Sequence, residues 1–462
     1  MVRSDGVTQI EEIVAAQEQF FKSGRTRDLD FRLENLNRLK KAVINNEDAI
    51  FEALKKDLAK STYESFLTEV GVVRDEIRLV SRRLKSWARP RRVKTPFQLW
   101  FASSRIHYAP YGRVLIIAPW NYPFLLSISP LIGSIAAGNC SVLKPSEYAP
   151  HTAAVISEIV TSLFDSRYVA VIEGDAQIGK ALLEQRFEHI FFTGSETVGK
   201  MVMSAAAKFL TPVTLELGGK SPCIIDQEVD VDAAARRIVF GKFLNAGQTC
   251  IAPDYLLVHQ SNITKLLELI RKYISRFYGE DARTSPDYAR IINMRHFNRL
   301  RALLEKGEVI IGGQSDPQDL FIAPTVITQL TWDDPIMQEE IFGPILPVLT
   351  FDDLSEIISV LNSRPKPLAL YIFSNRPENC RKVIDEVSFG TGCINDTVIQ
   401  FANSHLPFGG VGSSGIGRYH GRASFDTLSN KKSVLKKTIT FDPPLRYPPY
   451  KNKLWILRKI LG

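Results

Sequence analysis

The sequence predicts an α/β protein in which parallel sheets carry helices on both faces. Its 462 residues, of which 45% are apolar, are enough to bury a large core. Length alone favours about three domains. From Gly112 onward, short apolar runs alternate with segments of helical length, which is the order of βαβ units. That alternation is the main reason to expect parallel sheets.

The segment before this alternation predicts helices and one basic element. Residues 8–22 and 31–60 have apolar side chains every three or four positions, and Gly24 is suited to end the first helix. Residues 81–105 differ, because eight basic side chains stand there among aromatics and prolines. This composition predicts a hairpin arm or a loop. A solvated basic face is the alternative.

Two alternating blocks follow. The first predicts strands at 113–118, 140–143, 168–172 and 189–193, with helices at 124–137, 150–164, 176–185 and 196–209. The second predicts strands at 221–225, 255–259 and 309–311, with helices at 231–244, 261–277 and 295–306. Two α/β domains are the simplest organisation.

Cysteine usage and hydropathy limit the class of protein. The five cysteines are odd in number and widely spaced, so neither a disulfide framework nor a zinc site is expected. The amino terminus leads into an amphipathic stretch, which argues against a signal peptide. No apolar run approaches the roughly 18 residues that a membrane span needs. We therefore expect a cytoplasmic protein without a metal site.

The excess positive charge lies at one end of the chain. Net charge is +8, and residues 431–462 hold nine basic side chains against one acid. The other 49 basic and 49 acidic side chains lie in residues 1–430. A nucleic-acid-binding protein usually carries its basic surface on a folded recognition element. We therefore expect no nucleic-acid partner.

A thiol and a carboxylate are the strongest candidates for chemistry. Glu216 lies in Leu-Glu-Leu-Gly-Gly-Lys, and Cys250 ends Gly-Gln-Thr-Cys. A thiolate adds to an electron-poor carbonyl, and a carboxylate in a poorly hydrated site can activate water. A lone cysteine is more often a small buried hydrophobe. Placed on two predicted loops, the pair indicates aldehyde or thioester chemistry.

Three other segments follow predicted strands, at the sheet edge where ligands bind. Residues 192–199, Phe-Thr-Gly-Ser-Glu-Thr-Val-Gly, suit a pyrophosphate at a helix N-terminus, or else form an ordinary turn. Lys144 and Glu147 suit ribose hydroxyls, or else form a local ion pair on a surface turn. Asn121, in Pro-Trp-Asn-Tyr-Pro, suits an oxyanion hole, or else only caps the next helix.

Taken together with Glu-Ile-Phe-Gly-Pro at 340–344, these motifs resemble in order and spacing the NAD(P)-dependent aldehyde dehydrogenase superfamily. The resemblance covers about residues 8–440. The segments at 367–371, 407–412 and 417–421 look like its class 3 branch, which includes fatty aldehyde dehydrogenases.

The resemblance implies the aldehyde dehydrogenase fold, which has three parts. These are a Rossmann-like cofactor-binding domain (1–83 and 107–216), an α/β catalytic domain (217–425) and a small β oligomerisation arm (84–106 and 426–445). A basic amphipathic tail (446–462) follows them.

The same resemblance implies roles for individual residues. Cys250 is the nucleophile, Glu216 the general base, and Asn121 with the Cys250 backbone N–H the oxyanion hole. The residues implied for NAD, with NADP as the alternative, are Trp120, Lys144, Glu147, Gly194, Ser195, Val198, Gly199, Leu217, Gly218, Glu340 and Phe342. Tyr122, Thr249 and Phe408 are candidates for the substrate tunnel.

The implied reaction oxidises an apolar, medium- to long-chain aldehyde to a carboxylic acid through a thioester on Cys250. An acylating relative, which passes the thioester to coenzyme A, needs no hydrolytic base, so Glu216 weighs against that alternative. A catalytically inactive structural relative is the third alternative. The presence of Cys250, Glu216 and Asn121 weighs against it.

Partners are implied by the arm and the tail. The resemblance implies a homodimer, through residues 84–106 and a segment after about 426. Residues 453–461 mix bulky apolar and basic side chains in a stretch too short to span a bilayer, which suits an anionic membrane surface. Packing of this tail on a partner subunit is the alternative.

Overall fold

The computed structural model describes residues 4–99, 101–440 and 444–461. Within them the chain forms two large α/β sheets and a small antiparallel sheet. The predicted α/β class with parallel sheets is confirmed.

The chain begins with a helical segment. Its helices are α1 (Ser4–Lys22), α2 (Leu29–Asn45), α3 (Glu47–Leu58), α4 (Thr62–Ser65) and α5 (Gly71–Trp87). A π-helical turn at Phe66–Val70 joins the last two. The single helical stretch expected over 31–60 is interrupted at Asn46, which leaves helical geometry and donates its side-chain amide to the Ala42 carbonyl at 2.8 Å.

The basic segment is partly helical. The expectation of an arm or loop is wrong for residues 81–87, which are the last turns of α5. Val80, Leu84 and Trp87 are buried there at helical spacing, between the basic side chains. The many basic side chains around these three residues hid their helical spacing in the sequence. Two antiparallel strands follow, β1 (Arg91–Val93) and β2 (Ala102–Pro110).

The first large sheet contains all four strands predicted for its block. Its strands are β3 (Arg113–Ile117), β4 (Cys140–Lys144), β5 (Val169–Val171), β6 (His189–Thr193) and β7 (Val213–Glu216). They are parallel in the order β7-β6-β3-β4-β5. The connecting helices are α6 (Pro123–Ala137), α7 (Pro150–Leu163), α8 (Ala176–Leu183) and α9 (Glu196–Ala207). Helix α1 packs with α8 on one face, and α6 packs against α5 on the other.

The order of these strands creates a crevice. From β3 the chain moves through α6 to β4 and β5, then returns to the other side of β3 to form β6. The carboxyl ends of β3 and β6 therefore flank a topological switch point, where ligands bind in open α/β sheets. The segments that leave these two ends contain Asn121 and Ser195.

The second large sheet belongs to the part of the chain that contains the Cys250 loop. Its strands and the short hairpin between them are β8 (Pro222–Ile225), β9 (Tyr255–His259), β10 (Glu308–Ile311), β11 (Ser315–Asp316), β12 (Phe321–Ile322), β13 (Thr325–Thr328), β14 (Ile345–Phe351), β15 (Ala369–Phe373) and β16 (Thr391–Ile394). The helices are α10 (Val231–Phe243), α11 (Ile263–Tyr278), α12 (Met294–Ala302), α13 (Leu354–Ser363) and α14 (Pro377–Glu386). The sheet order is β10-β13-β14-β9-β8-β15-β16, with β10 antiparallel to β13 and the other pairs parallel. Cys250 follows α10.

The end of the chain returns to the first sheet. Strand β17 (Gly415–Ile416) pairs antiparallel with β7, and helix α15 (Arg422–Thr427) packs on α6. The range expected for the catalytic domain, 217–425, thus includes a strand of the other sheet. Strand β18 (Ser429–Lys437) then pairs along all of β2 and completes the small sheet, in the order β1-β2-β18.

The tail ends in a short helix, α16 (Leu454–Leu461). Its Trp455 is 63% exposed. Among the described residues, the helices are all too short or too polar to cross a bilayer.

Candidate active site

Cys250 and Glu216 lie between two cavities of different character. A cleft of about 490 Å³ extends toward the switch point of the first sheet and has many polar residues in its walls. An apolar pocket of about 160 Å³ lies on the other side. Both side chains line both cavities. A molecule in the cleft and one in the pocket therefore meet at the thiol and the carboxylate.

Glu216 is a buried carboxylate that shares both cavities with Cys250. It is the last residue of β7, so it stands at a strand end rather than on the loop that the sequence suggested. The residue is 3% exposed, and neither carboxylate oxygen has a hydrogen-bond partner among the described residues. Burial raises the pKa of Glu216 well above its ordinary value, and Arg418 opposes that rise. A carboxylate with these properties accepts protons readily near neutral pH.

Cys250 is a thiol with a raised pKa. Burial raises the pKa of its thiol, and the carboxylates of Glu340 and Glu216 raise it further. The backbone N–H groups of Cys250 and Ile251 act in the opposite direction. Because only the thiolate is a strong nucleophile, this cysteine must lose its proton before it reacts. Glu216 lines both cavities together with this thiol.

The loop before Cys250 has an unusual backbone. Asn245 and Ala246 have φ angles of 54° and 51°, and Gly247 follows at 72°. Non-glycine residues with positive φ are held only where their surroundings impose that conformation. Here the fully buried Gln248 holds the loop: its Nε2 donates to Asn245 O at 3.1 Å and to Arg290 O at 2.9 Å. The conformation aims Cys250 into both cavities.

Asn121 is an oxyanion-hole candidate and does not cap a helix. Its Nδ2 donates to Gln248 O at 3.0 Å, which ties the loop after β3 to the nucleophile loop. Helix α6 begins after Tyr122 without any side-chain cap from its own N-cap residue, so the capping alternative is wrong. A primary amide carries two N–H groups. With Gln248 O as the acceptor found among the described residues, one N–H remains for a ligand oxygen in the cleft.

The cleft fits the phosphates and nicotinamide end of a dinucleotide. Gly194 and Ser195 line it at the N-terminus of α9, where free N–H groups and the helix dipole favour anions. A Cβ at Gly194 would lie 2.6 Å from Phe192, and one at Gly218 would overlap the Glu340 carboxylate. Glycine at both positions lets the backbone lie close to the Phe192 ring and to the Glu340 carboxylate. Trp120, Leu217, Glu340 and Phe342 complete these walls.

Four predicted cofactor residues lie outside the cleft lining. Lys144 Nζ is buried and donates to Glu147 Oε2 at 3.0 Å, so the local ion pair considered from the sequence is present. Val198 is 42% exposed on the first turn of α9. Gly199, a fourth, is buried where a Cβ would lie 2.7 Å from Leu217, so its role is to let α9 approach that residue.

The segment with Glu340 and Phe342 is held by a buried polar cluster that the sequence did not suggest. Lys220 Nζ donates to Asp254 Oδ2 at 2.5 Å and to the carbonyls of Ile336 and Glu339. Asp254 Oδ1 accepts from the Ile341 backbone at 3.0 Å. Burial, followed by the Asp254 charge, raises the pKa of Glu340 to about 8. No short motif joins these positions, which are distant in sequence.

An aromatic contact completes this side of the cleft. Trp120 packs on His296 with ring centroids 4.9 Å apart, and on Phe342 at 5.3 Å. Burial lowers the pKa of His296 to about 4. His296 therefore contributes a neutral ring to the wall. In the sequence it is a lone histidine outside every motif noted above, so its place in the cleft was not predicted.

The apolar pocket contains all three predicted tunnel residues. Tyr122, Thr249 and Phe408 line it, and the Tyr122 hydroxyl lies 2.6 Å from Thr249 Oγ1. Its other apolar walls come from separate elements: Leu67, Val72, Leu125, Phe240, Leu244, Val398, Ile399 and Phe401. Among the described residues, no group of three or more His, Cys, Asp or Glu could hold a metal ion.

Comparison with known proteins agrees with this geometry. The model of the aldehyde dehydrogenase family matches residues 1–434. The 4,4'-diaponeurosporen-aldehyde dehydrogenase of Staphylococcus aureus is 48% identical, over 96% of this chain and 97% of that protein. A Rattus norvegicus relative, named aldehyde dehydrogenase, dimeric NADP-preferring, is 44% identical over 97% of this chain and 99% of its own. The solved substrate-bound state of Staphylococcus aureus AldH is 46% identical, with a TM-score of 0.96 over 98% of this chain and 99% of that one. The chain therefore belongs to the aldehyde dehydrogenase family and is an oxidoreductase that oxidises aldehydes.

Proposed function

We propose that this enzyme oxidises apolar, medium- to long-chain aldehydes to carboxylic acids with NAD(P)+, through a thioester on Cys250. The observation that carries the proposal is the position of Cys250 and Glu216 between a polar cleft and an apolar pocket. The cleft suits a dinucleotide, and the pocket suits an alkyl chain. The carbonyl carbon of the aldehyde then lies at the thiol.

The chain's own residues perform the covalent chemistry. The Cys250 thiol loses its proton to solvent, and the resulting thiolate adds to the carbonyl carbon while the C=O electron pair moves to oxygen. The free N–H of Asn121, with the Cys250 backbone N–H, donates to that oxygen. NAD(P)+, when bound in the cleft, accepts the hydride. Glu216 then deprotonates water, which attacks the thioester, expels the thiolate and gives the acid.

The walls of the apolar pocket support a preference for chain-like aldehydes. Phe240, Leu244, Phe401 and Phe408 offer no charge to a substrate. Burying each methylene there contributes up to about 0.8 kcal/mol. The Staphylococcus aureus relative named for 4,4'-diaponeurosporen-aldehyde is consistent with an apolar substrate.

A steady-state series from acetaldehyde to dodecanal tests this preference, with both NAD and NADP. We expect kcat/KM to rise by up to about fourfold per methylene until the pocket is filled. A flat series, or one that falls from acetaldehyde onward, would contradict an apolar substrate while leaving aldehyde oxidation intact.

We propose NAD as the preferred cofactor, with NADP as the alternative. Glu147 is exposed beside Lys144, and its charge would repel a 2′-phosphate. The rat relative is named NADP-preferring, so this family admits both. The ratio of kcat/KM for the two cofactors in the same series gives the preference, and a higher value with NADP would reverse the assignment.

We further propose a homodimer. Strand β18 is an edge strand of nine residues within the described part of the chain, and seven of its nine side chains are exposed. An edge of this kind is ordinarily paired or covered. The rat relative is named dimeric. Light scattering at micromolar concentration should give twice the chain mass, and a monomer mass would exclude this assembly.

For the tail we propose binding to an anionic membrane surface. In α16 the exposed Leu454 and Trp455 precede Arg458 and Lys459, which suits a helix lying at an interface. Co-sedimentation with phosphatidylserine vesicles should retain the full chain better than a chain ending at Pro449, and only at low salt. Equal retention would show that the tail does not bind the membrane, which leaves packing on the partner subunit.

A further inference from the structure

Beside the oxyanion loop lies a buried ion pair with no role in the proposed chemistry. Lys60 Nζ lies 2.6 Å from Glu69 Oε1, and both side chains are 0% exposed. Neither residue belongs to a motif noted in the sequence. Burying two charges is costly, and their mutual attraction often fails to offset the loss of hydration. The groups that Lys60 and Glu69 contact therefore indicate the role of the pair.

Glu69 supplies the missing cap of α6. Its second oxygen, Oε2, accepts from the backbone N–H groups of Phe124 at 2.9 Å and Leu125 at 3.1 Å. These are first-turn donors, which have no partner within the helix. The carboxylate also complements the positive end of the helix dipole. A residue 55 positions away thus fixes the start of α6.

Lys60 contacts the two residues that precede that helix. Its Nζ donates to the Asn121 backbone carbonyl at 3.1 Å and lies 4.0 Å from the centre of the Tyr122 ring. Asn245 Nδ2 donates to the same carbonyl at 2.8 Å. The Asn121 backbone carbonyl therefore accepts from two sides: from Lys60 in the amino-terminal helical segment and from Asn245 in the loop before Cys250.

We propose that the Lys60–Glu69 pair is a positioning element of the oxyanion hole. One member holds the Asn121 carbonyl, the other holds the first two amides of the following helix, and together they fix where the Asn121 side chain meets the Cys250 loop. This inference rests on the proposed role of Asn121. Because a misplacement of about 1 Å can cost on the order of 10²-fold in rate, a device remote from the thiol can matter to the chemistry.

Glu69→Gln tests the proposal. Glutamine has one acceptor oxygen, so it cannot serve both Lys60 and the α6 amides. We expect the rate of the first-turnover burst of reduced cofactor to fall by about 10- to 100-fold. The dissociation constant of NAD, measured by fluorescence, should stay unchanged because neither residue lines the cleft. An unchanged burst rate would overturn the proposal.

Glu188→Gln is the matched control. Glu188 Oε1 lies 2.8 Å from Arg113 Nη2, in a partly buried pair at the amino end of β3, opposite the site. Its loss should lower the melting temperature and leave the burst rate unchanged. If Glu69→Gln does not fold, Lys60→Met combined with Glu69→Gln replaces it, since that variant leaves no unpaired buried charge.

A double-mutant cycle that combines Glu69→Gln with Asn121→Ala separates a positioning role of Glu69 from an effect on general stability. If Glu69 acts through Asn121, Glu69→Gln should reduce the burst rate little once Asn121 is alanine. The same fold-loss in both backgrounds would mark a structural role and overturn the proposal. If Asn121→Ala alone left the burst rate unchanged, the proposed oxyanion role would fail first, an outcome distinct from failure of the ion pair.

Discussion

Replacing Cys250 by alanine should remove both the burst of reduced cofactor and steady-state turnover. The thiol lines the cleft and the apolar pocket, and it is the proposed nucleophile. Without the covalent adduct, hydride must leave a neutral aldehyde or its hydrate, which is a far harder step. We expect a loss on the order of 10⁴-fold or more. Stopped-flow absorbance of the reduced cofactor, with enzyme in excess over aldehyde, measures it.

Cys223→Ala is the matched control. That cysteine is buried in β8 and lines neither cavity. It should keep its burst with at most a modest loss of stability. A burst that survived in Cys250→Ala but was lost in Cys223→Ala would move the nucleophile to β8, and a burst retained in both variants would exclude these two cysteines as the nucleophile.

The helices and strands were predictable where the apolar residues of a segment follow one clear pattern. The apolar runs of β3, β4 and β6 are buried on both faces, as strands of a parallel sheet are. Helix α5 was missed because its buried positions, Val80, Leu84 and Trp87, are separated by clustered basic residues. Strand β7 has only four residues and ends at Glu216, the proposed general base. Its length gave no pattern to recognise.

The chemical groups of the site were predictable, but the residues that hold them were not. Cys250, Glu216 and Asn121 lie in short motifs at the ends of elements, where local sequence carries a signal. Lys60 and Glu69 act on Asn121 and α6 from 61 and 55 positions away. Their spacing matches no motif, and their charges would ordinarily predict exposed side chains. Only the packing of the helical segment against the first sheet reveals what they contact.

Glu216→Gln should separate the two halves of the reaction. Glutamine keeps the volume of the side chain, but it cannot deprotonate water. The thioester should therefore form with a visible burst and then hydrolyse about 10²- to 10⁴-fold more slowly. Stopped-flow absorbance gives the burst, and mass spectrometry of the quenched protein should show the acyl group on Cys250. Unimpaired steady-state turnover would remove Glu216 from its assigned role.

The pH dependence of hydrolysis provides a second test of Glu216. A base acts only when deprotonated, and burial holds its pKa well above the ordinary carboxyl value. In the unmodified enzyme the hydrolysis rate should therefore rise as pH increases through that raised pKa, and in Glu216→Gln this rise should be absent.

Adding coenzyme A to the stalled Glu216→Gln variant distinguishes water from coenzyme A as the acyl acceptor. If coenzyme A restored full turnover, thioester transfer rather than hydrolysis would be the native last step, because the acceptor site would then be independent of Glu216.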